Sequence, residues 1–377
     1  MTNSAPLTIV GAGIAGLTLA LCLHQRGITS KIIEKRPALA NEGAGIQITP
    51  NAFHVLAGLG LGDTFKQRAH VSQTVTLRES TTHHKIVQMP LGEPFARRHD
   101  APYLVVHRAD LMAILHEACK DAGIQILFGE TLNDEQADTP VIGADGVWST
   151  TRQRISNTGA KFSNRIAFRA IIDAEDGEAF DKTHDVTVTF GPKAHFVYYP
   201  IKGGKQLNMV CIVQSEQNAK GENRWSAPAT STDVLSHLPN WSATIKTLIK
   251  RTNEWQRWPL YTVAPESPWT NNTTALIGDA AHAMVPFVAQ GGAMAIEDAA
   301  VLAHAIATHE DISTAFKAYE DARKARVTKV WQEAMANGKR YHMSGLAAIA
   351  RNVGLKAIGG ERMANRYNWI YDWRPPV

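Results

Sequence analysis

The sequence predicts an α/β fold in which a dinucleotide-binding domain of Rossmann type, built from separated segments, carries an inserted sheet-rich domain. The apolar run Leu7–Val10 leads through a glycine-rich turn into a helix-like segment, which is the start of a βαβ unit. Strand and helix patterns return near residues 104–128 and 274–307. Residues 162–270 instead alternate apolar and polar side chains, which is typical of strands with one exposed face and favours a mixed or antiparallel sheet.

Composition and charge exclude several classes of protein. The chain has 377 residues, more than the usual ~100–200 of one domain, so we expect two domains or one large one. Lys and Arg number 39 against 35 Asp and Glu, and no dense basic tract indicates binding to nucleic acid. The longest uncharged stretch, Leu7 to Leu23, contains three glycines and is expected to form a buried strand and helix, not a membrane span. The three cysteines form no CxxC pair, which favours a reducing compartment, the cytoplasm.

The individual elements and domains follow from these patterns. The charged residues 311–340 are predicted to form a solvated surface helix, and Glu216–Asp233 a loop. The predicted strands are Leu7–Val10, Lys31–Glu34, Leu104–Val106, Ile124–Phe128 and Thr274–Ile277, and the predicted helices are Ala15–His24, Ala109–Ala122 and the apolar segment that ends near Ala307. The predicted domains are residues 1–75, 98–161 and 271–345 for nucleotide binding, 76–97 and 162–270 for the second domain, and 346–377 for a C-terminal helical segment.

A glycine-rich turn at residues 11–16 has the spacing that binds a pyrophosphate. Its first glycine permits a tight turn, its second lets the backbone approach the phosphates, and its third lets helix and strand pack closely. The helix that follows offers unpaired N–H groups to the phosphates, and Glu34, at the end of the next strand, can accept both ribose hydroxyls. The predicted dinucleotide contacts are Gly11, Gly13, Ala15, Gly16, Glu34 and Lys35, although a solvated strand end explains Lys35 better than a phosphate contact does.

Two later motifs distinguish FAD from NAD. One apolar strand ends in Asp145-Gly146, ahead of Arg152, and another ends in Gly278-Asp279. A carboxylate at such a strand end can bind a ribityl hydroxyl, and the helix after Gly291-Gly292 can turn its N-terminus towards the flavin edge that becomes negative on reduction. These residues are therefore predicted contacts of FAD.

With these motifs, the sequence resembles the single-component FAD-dependent aromatic hydroxylases, of the salicylate and 6-hydroxynicotinate monooxygenase kind, over nearly its whole length. Besides the nucleotide motifs, the resemblance includes Gly43–Asn51, His107–Leu111, Ala289–Ala299 and Trp369–Trp373. It implies a glutathione-reductase-like domain that holds FAD tightly and noncovalently, with Arg108 along the cofactor and with NADH or NADPH as a transient co-substrate.

The activity that the resemblance implies is hydroxylation in the catabolism of aromatic compounds. NAD(P)H reduces FAD, O2 then forms a flavin C4a-hydroperoxide, and one oxygen atom passes to a small phenolic, carboxylated or N-heteroaromatic ring. Three alternatives remain open: epoxidation or oxidation of a non-aromatic or polycyclic substrate in the same fold, a dehydrogenase that never oxygenates, and a flavin-binding protein without turnover. The expected assembly is a monomer or homodimer, and no spacing of ligands indicates a metal site.

The segment His195-Phe-Val-Tyr198-Tyr199 contains the main catalytic candidates, because the resembling enzymes present histidine and tyrosine to the substrate there. A histidine can accept the proton of a phenol near neutral pH, and a tyrosine can orient a hydroxyl or carboxylate. Strand alternation places His195 and Tyr199 on one face and Tyr198 on the other. An aromatic strand packed within a sheet is the competing explanation.

Further candidates flank the motifs. Gln47 and Pro286 are expected at the catalytic centre, although the neutral amide of Gln47 can only hydrogen-bond a substrate and cannot act as a base. Gln290, beside the glycine pair, is expected to contact the substrate, and His282 to support the Gly-Asp turn. Five tryptophans are expected to pack in the core rather than to line a pocket: Trp225, Trp241, Trp255, Trp258 and Trp269.

Overall fold

The structure, a computed structural model, describes residues 6–39, 44–132, 139–173, 185–216 and 226–377. Its strands are β1 (Leu7–Val10), β2 (Ser30–Glu34), β3 (Gly45–Ile48), β4 (His70–Val71), β5 (Thr74–Glu79), β6 (Lys85–Pro90), β7 (Leu104–His107), β8 (Gln125–Phe128), β9 (Val141–Gly143), β10 (Lys161–Asp173), β11 (Val186–Gly191), β12 (Ala194–Ile201), β13 (Gln206–Gln214), β14 (Ala227–Ala229), β15 (Trp255–Thr262) and β16 (Thr274–Leu276). Its helices are α1 (Ile14–Gln25), α2 (Pro50–Gly58), α3 (Gly62–Arg68), α4 (Glu93–His99), α5 (Arg108–Asp121), α6 (Ser231–Ser236), α7 (Ala243–Ile249), α8 (Asp279–His282), α9 (Gly291–Thr308), α10 (Ile312–Tyr341), α11 (Gly345–Ile358), α12 (Gly360–Asn365) and α13 (Asn368–Tyr371). None of the helices in these described ranges is long and apolar enough to cross a membrane.

Five parallel strands form the first sheet, in the order β16-β9-β1-β2-β8. Parallel strands need cover on both faces, and α1 supplies part of it by packing against β1, β2, α5 and α9. Ten consecutive α1 residues, from Ile14 to Leu23, are buried as a result. The βαβ start predicted from the glycine-rich turn is therefore confirmed.

Eight strands form the second sheet, in the order β14-β15-β10-β13-β12-β11-β5-β6. Its pairs are antiparallel except β5–β11, so the mixed or antiparallel sheet predicted for residues 162–270 is confirmed. Trp241, Trp255 and Trp269 are buried in the hydrophobic core, as expected, whereas Trp258 is half-buried and Trp225 lies outside the described residues. A small third sheet, β3-β7-β4, carries Gln47.

The prediction of a loop at Glu216–Asp233 is wrong for its described part. Residues Ala227–Ala229 form β14, and α6 begins at Ser231. The Thr230 hydroxyl accepts a hydrogen bond from the Asp233 backbone N–H while the Asp233 carboxylate accepts one from the Thr230 N–H. The polar residues that resemble a loop are therefore a capping box, which starts a helix.

Residues 311–340 are not a solvated surface helix, because one side of α10 is buried against α9. The Arg323 guanidinium donates from Nε to Oδ1 of Asp298 at 2.8 Å and from Nη1 to Oε2 of Glu297 at 2.5 Å. All three side chains are at most 1 % exposed. Burial alone would raise the pKa of Asp298, but the charges of His282 and Arg323 and two hydrogen bonds lower it to about 2.

The C-terminal segment packs onto the same cluster of charges. Arg326 binds both carboxylate oxygens of Glu297 and donates to the backbone carbonyls of Trp369 and Ile370, each at 2.8 Å. The Lys329 ammonium lies 4.0 Å from the centre of the Trp369 ring, which is a cation–π contact. The end of the chain is thus anchored to α10 by backbone and ring contacts together.

We predict that Arg323→Met lowers the free energy of unfolding by about 3–5 kcal/mol, because it leaves the charges of Asp298 and Glu297 buried without their shared cation. Urea unfolding of the holoenzyme, followed by circular dichroism, measures the change. Lys317→Met, on the same helix, is the matched control: its ion pair with Asp321 is exposed and should change stability by less than ~1 kcal/mol. Equal effects of the two substitutions would contradict this role of Arg323.

Candidate active site and cofactor groove

The glycine-rich turn between β1 and α1 excludes side chains where helix and strands meet. A Cβ at Gly11 would lie 2.6 Å from the Ala144 carbonyl oxygen, and one at Gly16 would lie 2.0 Å from the Gly11 carbonyl oxygen. A Cβ at Gly13 would have nothing within 4 Å. The first and third glycines are therefore needed for packing, while the second faces open space at the N-terminus of α1, where a phosphate can approach.

Glu34 lies beside this turn and is held by two backbone groups. Its Oε2 accepts a hydrogen bond from the Ala12 N–H at 2.8 Å, and its Oε1 accepts one from the Arg36 N–H at 2.9 Å. The carboxylate is thus fixed next to the open phosphate position, where a ribose would follow. Lys35 is exposed, which agrees with a solvated end of β2.

Arg108 and Asp279 are oppositely charged side chains, both exposed, at the starts of α5 and α8. The protein surrounding Arg108 lowers its pKa by desolvation, and the Asp279 charge opposes that shift. Desolvation likewise raises the pKa of Asp279, against the charges of His282 and Arg108. An accessible carboxylate and guanidinium that interact in this way suit the hydroxyls and phosphates of a dinucleotide.

The Gly278 turn that precedes Asp279 is possible only for glycine. Its φ of +59° and ψ of −139° are strained for other residues, and a Cβ there would lie 3.3 Å from the Ala15 Cβ. The predicted cofactor contact Ala15 therefore packs α1 against this turn. Similarly, a Cβ at Gly292 would lie 2.9 Å from Ile46 Cδ1, whereas a Cβ at Gly291 would have no atom closer than Met284 Cγ at 4.0 Å. His282 supports the turn as expected, through its Nε2 at 2.6 Å from Oδ2 of Asp298.

The Asp145-Gly146 turn is organised by the Asp145 carboxylate. Its Oδ2 accepts hydrogen bonds from the backbone N–H groups of Thr150 and Thr151, at 2.9 and 3.0 Å. Its Oδ1 is buried and has no partner among the described residues. Gly146 has a φ of +78°, which favours glycine. An unused carboxylate oxygen beside this turn suits a hydroxyl donor of the cofactor.

Arg152 has a different role from the predicted cofactor contact. Its Nε, Nη1 and Nη2 donate to the carbonyl oxygens of Thr158, Ala280 and Val147, at 2.8, 2.9 and 2.9 Å. The buried guanidinium thus ties the Asp145 turn to α8 and presents no free edge to a ligand. The open Gly13, the Arg108–Asp279 pair and the unused Asp145 oxygen remain as the features that fit FAD.

A cavity of about 130 Å³ lies between β12, the segment that follows α8, and the C-terminal helices. Its walls are mainly apolar and aromatic, and its polar side chains include Gln47, Tyr103 and His195. Pro286 and Phe287 line it, as do three tyrosines that sequence reasoning missed: Tyr341, Tyr367 and Tyr371. Tyr371 belongs to the quoted motif Trp369–Trp373, but no local pattern indicates that its side chain lines the same cavity as His195, which lies 176 residues earlier in the chain.

The two faces of β12 separate the catalytic candidates. His195 and Val197 line the cavity, whereas Phe196 and Tyr198 pack into the core on the other side of the sheet. The predicted alternation is confirmed, but Tyr198 is not brought to the cavity. Tyr199 lies on the His195 face and packs on Gly45, where a Cβ would lie 2.4 Å from its Cε2. It therefore supports β3, which carries Gln47.

His195 is buried and paired with a second histidine. Its Nδ1 lies 2.9 Å from Nε2 of His342, which caps the end of α10. Burial, then the charges of His342 and Arg165, hold the pKa of His195 well below its usual value. Burial likewise lowers the pKa of His342 to about 3, with further lowering by Arg165 and Arg351. Both imidazoles are therefore neutral at physiological pH.

Gln47 and Tyr103 form the second polar pair of the cavity. The Tyr103 hydroxyl donates to Oε1 of Gln47 at 2.6 Å, which leaves the Gln47 amide N–H groups as donors. Burial raises the pKa of Tyr103 well above its usual value, so the phenol stays protonated. The sequence does not identify Tyr103 as a site residue, because it belongs to no motif. The one indication is that it lies five residues before the predicted cofactor contact Arg108.

Gln290 is not positioned to contact a substrate. It is buried, its Nε2 donates to the Thr49 hydroxyl at 3.0 Å, and its Oε1 accepts from Nδ2 of Asn51 at 3.0 Å. The amide therefore joins the start of α9 to the start of α2. The neighbouring Ala289, with a φ of +52°, lines the cavity instead.

Comparison with known proteins agrees with this geometry. The family described as FAD binding domain matches residues 4–334. A 3-hydroxybenzoate 6-hydroxylase 1 from Aquipseudomonas alcaligenes is 34% identical, over 97% of this chain and 96% of its own. A 3-hydroxybenzoate 6-hydroxylase from Polaromonas naphthalenivorans is 31% identical, over 98% and 96%. A 6-hydroxynicotinate 3-monooxygenase from Bordetella bronchiseptica is 28% identical, over 88% and 90%.

Solved structures share the whole fold. A salicylate hydroxylase in complex with substrate has a TM-score of 0.81 at 24% identity, covering 98% of this chain and 96% of its own. The Klebsiella pneumoniae protein HpxO, complexed with FAD and uric acid, has a TM-score of 0.84 at 22% identity, covering 98% and 97%. The resemblance and the fold inferred from the motifs are confirmed.

We predict that Gly13→Val weakens FAD binding by at least about tenfold, or ~1.4 kcal/mol, because the side chain would occupy the open position at the N-terminus of α1. Fluorescence titration of the FAD-free protein with FAD measures this. Gly159→Val is the matched control, since a Cβ there also has nothing within 4 Å and its φ is ordinary. Unchanged FAD affinity in the Gly13 variant would move the phosphate site elsewhere.

Proposed function

The chain belongs to the FAD-dependent aromatic hydroxylases, and we propose that it hydroxylates a small, single-ring phenol, with or without a carboxylate or a ring nitrogen. NADH or NADPH is the expected electron donor and O2 the source of oxygen. The observation that carries the proposal is the cavity of about 130 Å³ with its two neutral polar pairs. For scale, an apolar cavity of about 150 Å³ takes up one benzene ring.

The names of the relatives support the same substrate class. Those named above act on 3-hydroxybenzoate and 6-hydroxynicotinate, which are single rings that bear a hydroxyl group. A ring of this size in the cavity would have Gln47 and His195 among its polar partners. Two polar partners at separate places can hold a planar ring in one orientation, which decides the carbon atom that is hydroxylated.

The protein's part in the reaction is to bind, orient and enclose the ring. FAD, when bound, would carry the electrons of NAD(P)H to O2 and so activate it, and one of the two oxygen atoms of O2 is transferred to the ring. Phe287 and Tyr371 exclude water from the ring, and Pro286, which follows α8, is proposed to lie on the flavin side of the cavity. The low pKa of His195 disfavours the hypothesis that it acts as a simple proton acceptor: burial and the charges of His342 and Arg165 lower it, and no carboxylate of the described ranges opposes them.

We further infer a reducing, cytoplasmic location. Cys22, Cys119 and Cys211 are buried and free, and burial raises the pKa of each thiol above its usual value, so none is poised for disulfide exchange. The assembly is proposed to be a monomer or a homodimer, which sedimentation of the holoenzyme would establish.

Oxidation of NADH and NADPH in the presence of a panel of phenols tests the proposed function. We expect salicylate, 3-hydroxybenzoate, 6-hydroxynicotinate or a close analogue to stimulate oxidation, and ¹⁸O2 to label the product. Stimulation without label, with electrons recovered as peroxide or in a dehydrogenated product, would favour a dehydrogenase. An absence of stimulation by every phenol, with FAD bound, would contradict the proposal.

We predict that Tyr103→Phe lowers kcat/KM for the phenol by about 5–150-fold, because Gln47 loses the donor that orients its amide, a loss of ~1–3 kcal/mol. Steady-state kinetics of hydroxylated product formation, with the product identified by its ¹⁸O label, measure this change in kcat/KM. Tyr198→Phe is the matched control, since that ring packs on the opposite face of the same sheet, and its kcat/KM should change by less than about twofold. The reverse order of effects would return Tyr198 to the site.

A further inference from the structure

One hydrogen bond joins the two buried imidazoles at the cavity. His195 is 2 % exposed and His342 is 6 % exposed, and Nδ1 of the first lies 2.9 Å from Nε2 of the second. A neutral imidazole carries one N–H, so one ring donates and the other accepts. Which ring donates decides whether the remaining nitrogen of His195, its Nε2, offers the cavity a proton or a lone pair.

The surroundings of His342 decide between the two arrangements. Its Nδ1 is buried and has no hydrogen-bond partner among the described residues. If Nε2 of His342 accepted the bond, Nδ1 would have to be a buried N–H without an acceptor, which proteins rarely tolerate. If Nε2 donates, Nδ1 keeps a lone pair instead.

The charges near the pair keep both rings neutral, as the two arrangements require. The groups whose charges act on His342 are Arg165 and Arg351, and Arg165 also acts on His195; both are cationic. The Arg165 guanidinium lies 5.2 Å from the centre of the Phe287 ring, which is 5.9 Å from the His342 ring. Positive charge this close disfavours the imidazolium form of either ring, so the hydrogen bond joins two neutral imidazoles.

We propose that His342 is a positioning residue that donates its Nε2–H to Nδ1 of His195 and thereby holds His195 as the Nε2–H tautomer, a hydrogen-bond donor to the cavity. The inference rests on the proposed function in one respect, that a phenol occupies the cavity. A donor stabilises an oxygen anion, so the substrate binds as phenolate, its proton passes to solvent, and His195 keeps its own proton. The ionised ring is the more electron-rich acceptor of oxygen.

The tautomers are tested directly by NMR of the holoenzyme labelled with ¹⁵N-histidine. Long-range ¹H–¹⁵N spectra distinguish a protonated from an unprotonated ring nitrogen, and spectra of His195→Gln and His342→Gln assign the two rings. We expect protonated Nε2 and unprotonated Nδ1 in His195, and protonated Nε2 in His342. A protonated Nδ1 in His195 would overturn the proposal, and this result does not depend on turnover.

The consequence for binding is tested by titrating the bound phenol, with 3-hydroxybenzoate as the probe, by difference absorbance against pH. We expect the wild type and His342→Gln, whose amide can still donate to His195, to favour the phenolate at least about tenfold over free solution, one pKa unit. His342→Leu should lose most of that preference while its FAD affinity stays unchanged. An equal phenolate preference in the leucine variant would overturn the proposal. If no phenol binds, the proposed function fails, while the NMR result still decides the tautomer.

Discussion

Glu297 and Asp298 are adjacent carboxylates with no exposed surface, and the architecture around them is arranged to neutralise them. Removing each charge from water costs several kcal/mol, which only close cations and hydrogen bonds can offset. Arg323 spans both carboxylates, His282 and the Gly278 N–H bind Asp298, and Arg326 binds Glu297. The ion pairs therefore fix helices α9 and α10 and the turn before α8 in one position relative to one another, in which both carboxylates have a cationic or hydrogen-bonding partner.

This cluster of charges also links the cofactor groove to the cavity. On one side, Asp298 holds the turn that presents Asp279 to the groove. On the other, Glu297 accepts from Asn51, which follows the strand that carries Gln47, and through Arg326 it holds the backbone of Ile370, a cavity residue. The cofactor groove and the cavity are thus fixed in position by the same pair of buried carboxylates. This shared support explains why motifs far apart in the sequence come together at one site.

Local patterns predicted those parts of the molecule whose partners are near in the chain. The glycine turn and the two faces of β12 follow from spacing alone, because a tight turn and a period of two are backbone properties. The burial of one side of residues 311–340 could not be predicted in this way, because the sequence around Arg323 does not show whether its guanidinium contacts water or Glu297. Gln290 and Arg152 were assigned to ligands for a similar reason: a polar side chain beside a motif can bind a ligand or the backbone, and only the tertiary register decides. Tyr103 and His342 carried no motif at all.

Charge is distributed unevenly between the groove and the cavity, and this difference has a chemical consequence. Arg108 and Asp279 are exposed at the groove, where phosphates and hydroxyls are to be bound, whereas no acid, lysine or arginine is found among the described residues that line the cavity. In a largely apolar space a hydrogen bond is stronger than in water, and the formal charge that acts on His195, that of Arg165, lies outside the residues that line the cavity. Part of the polarity that a substrate meets is then set by where single protons reside, on the phenol of Tyr103 and on one nitrogen of His195. The positions of those protons depend in turn on the hydrogen bonds to Gln47 and His342. The electrostatics of the cavity therefore depend on neutral hydrogen-bond partners of the side chains that line it.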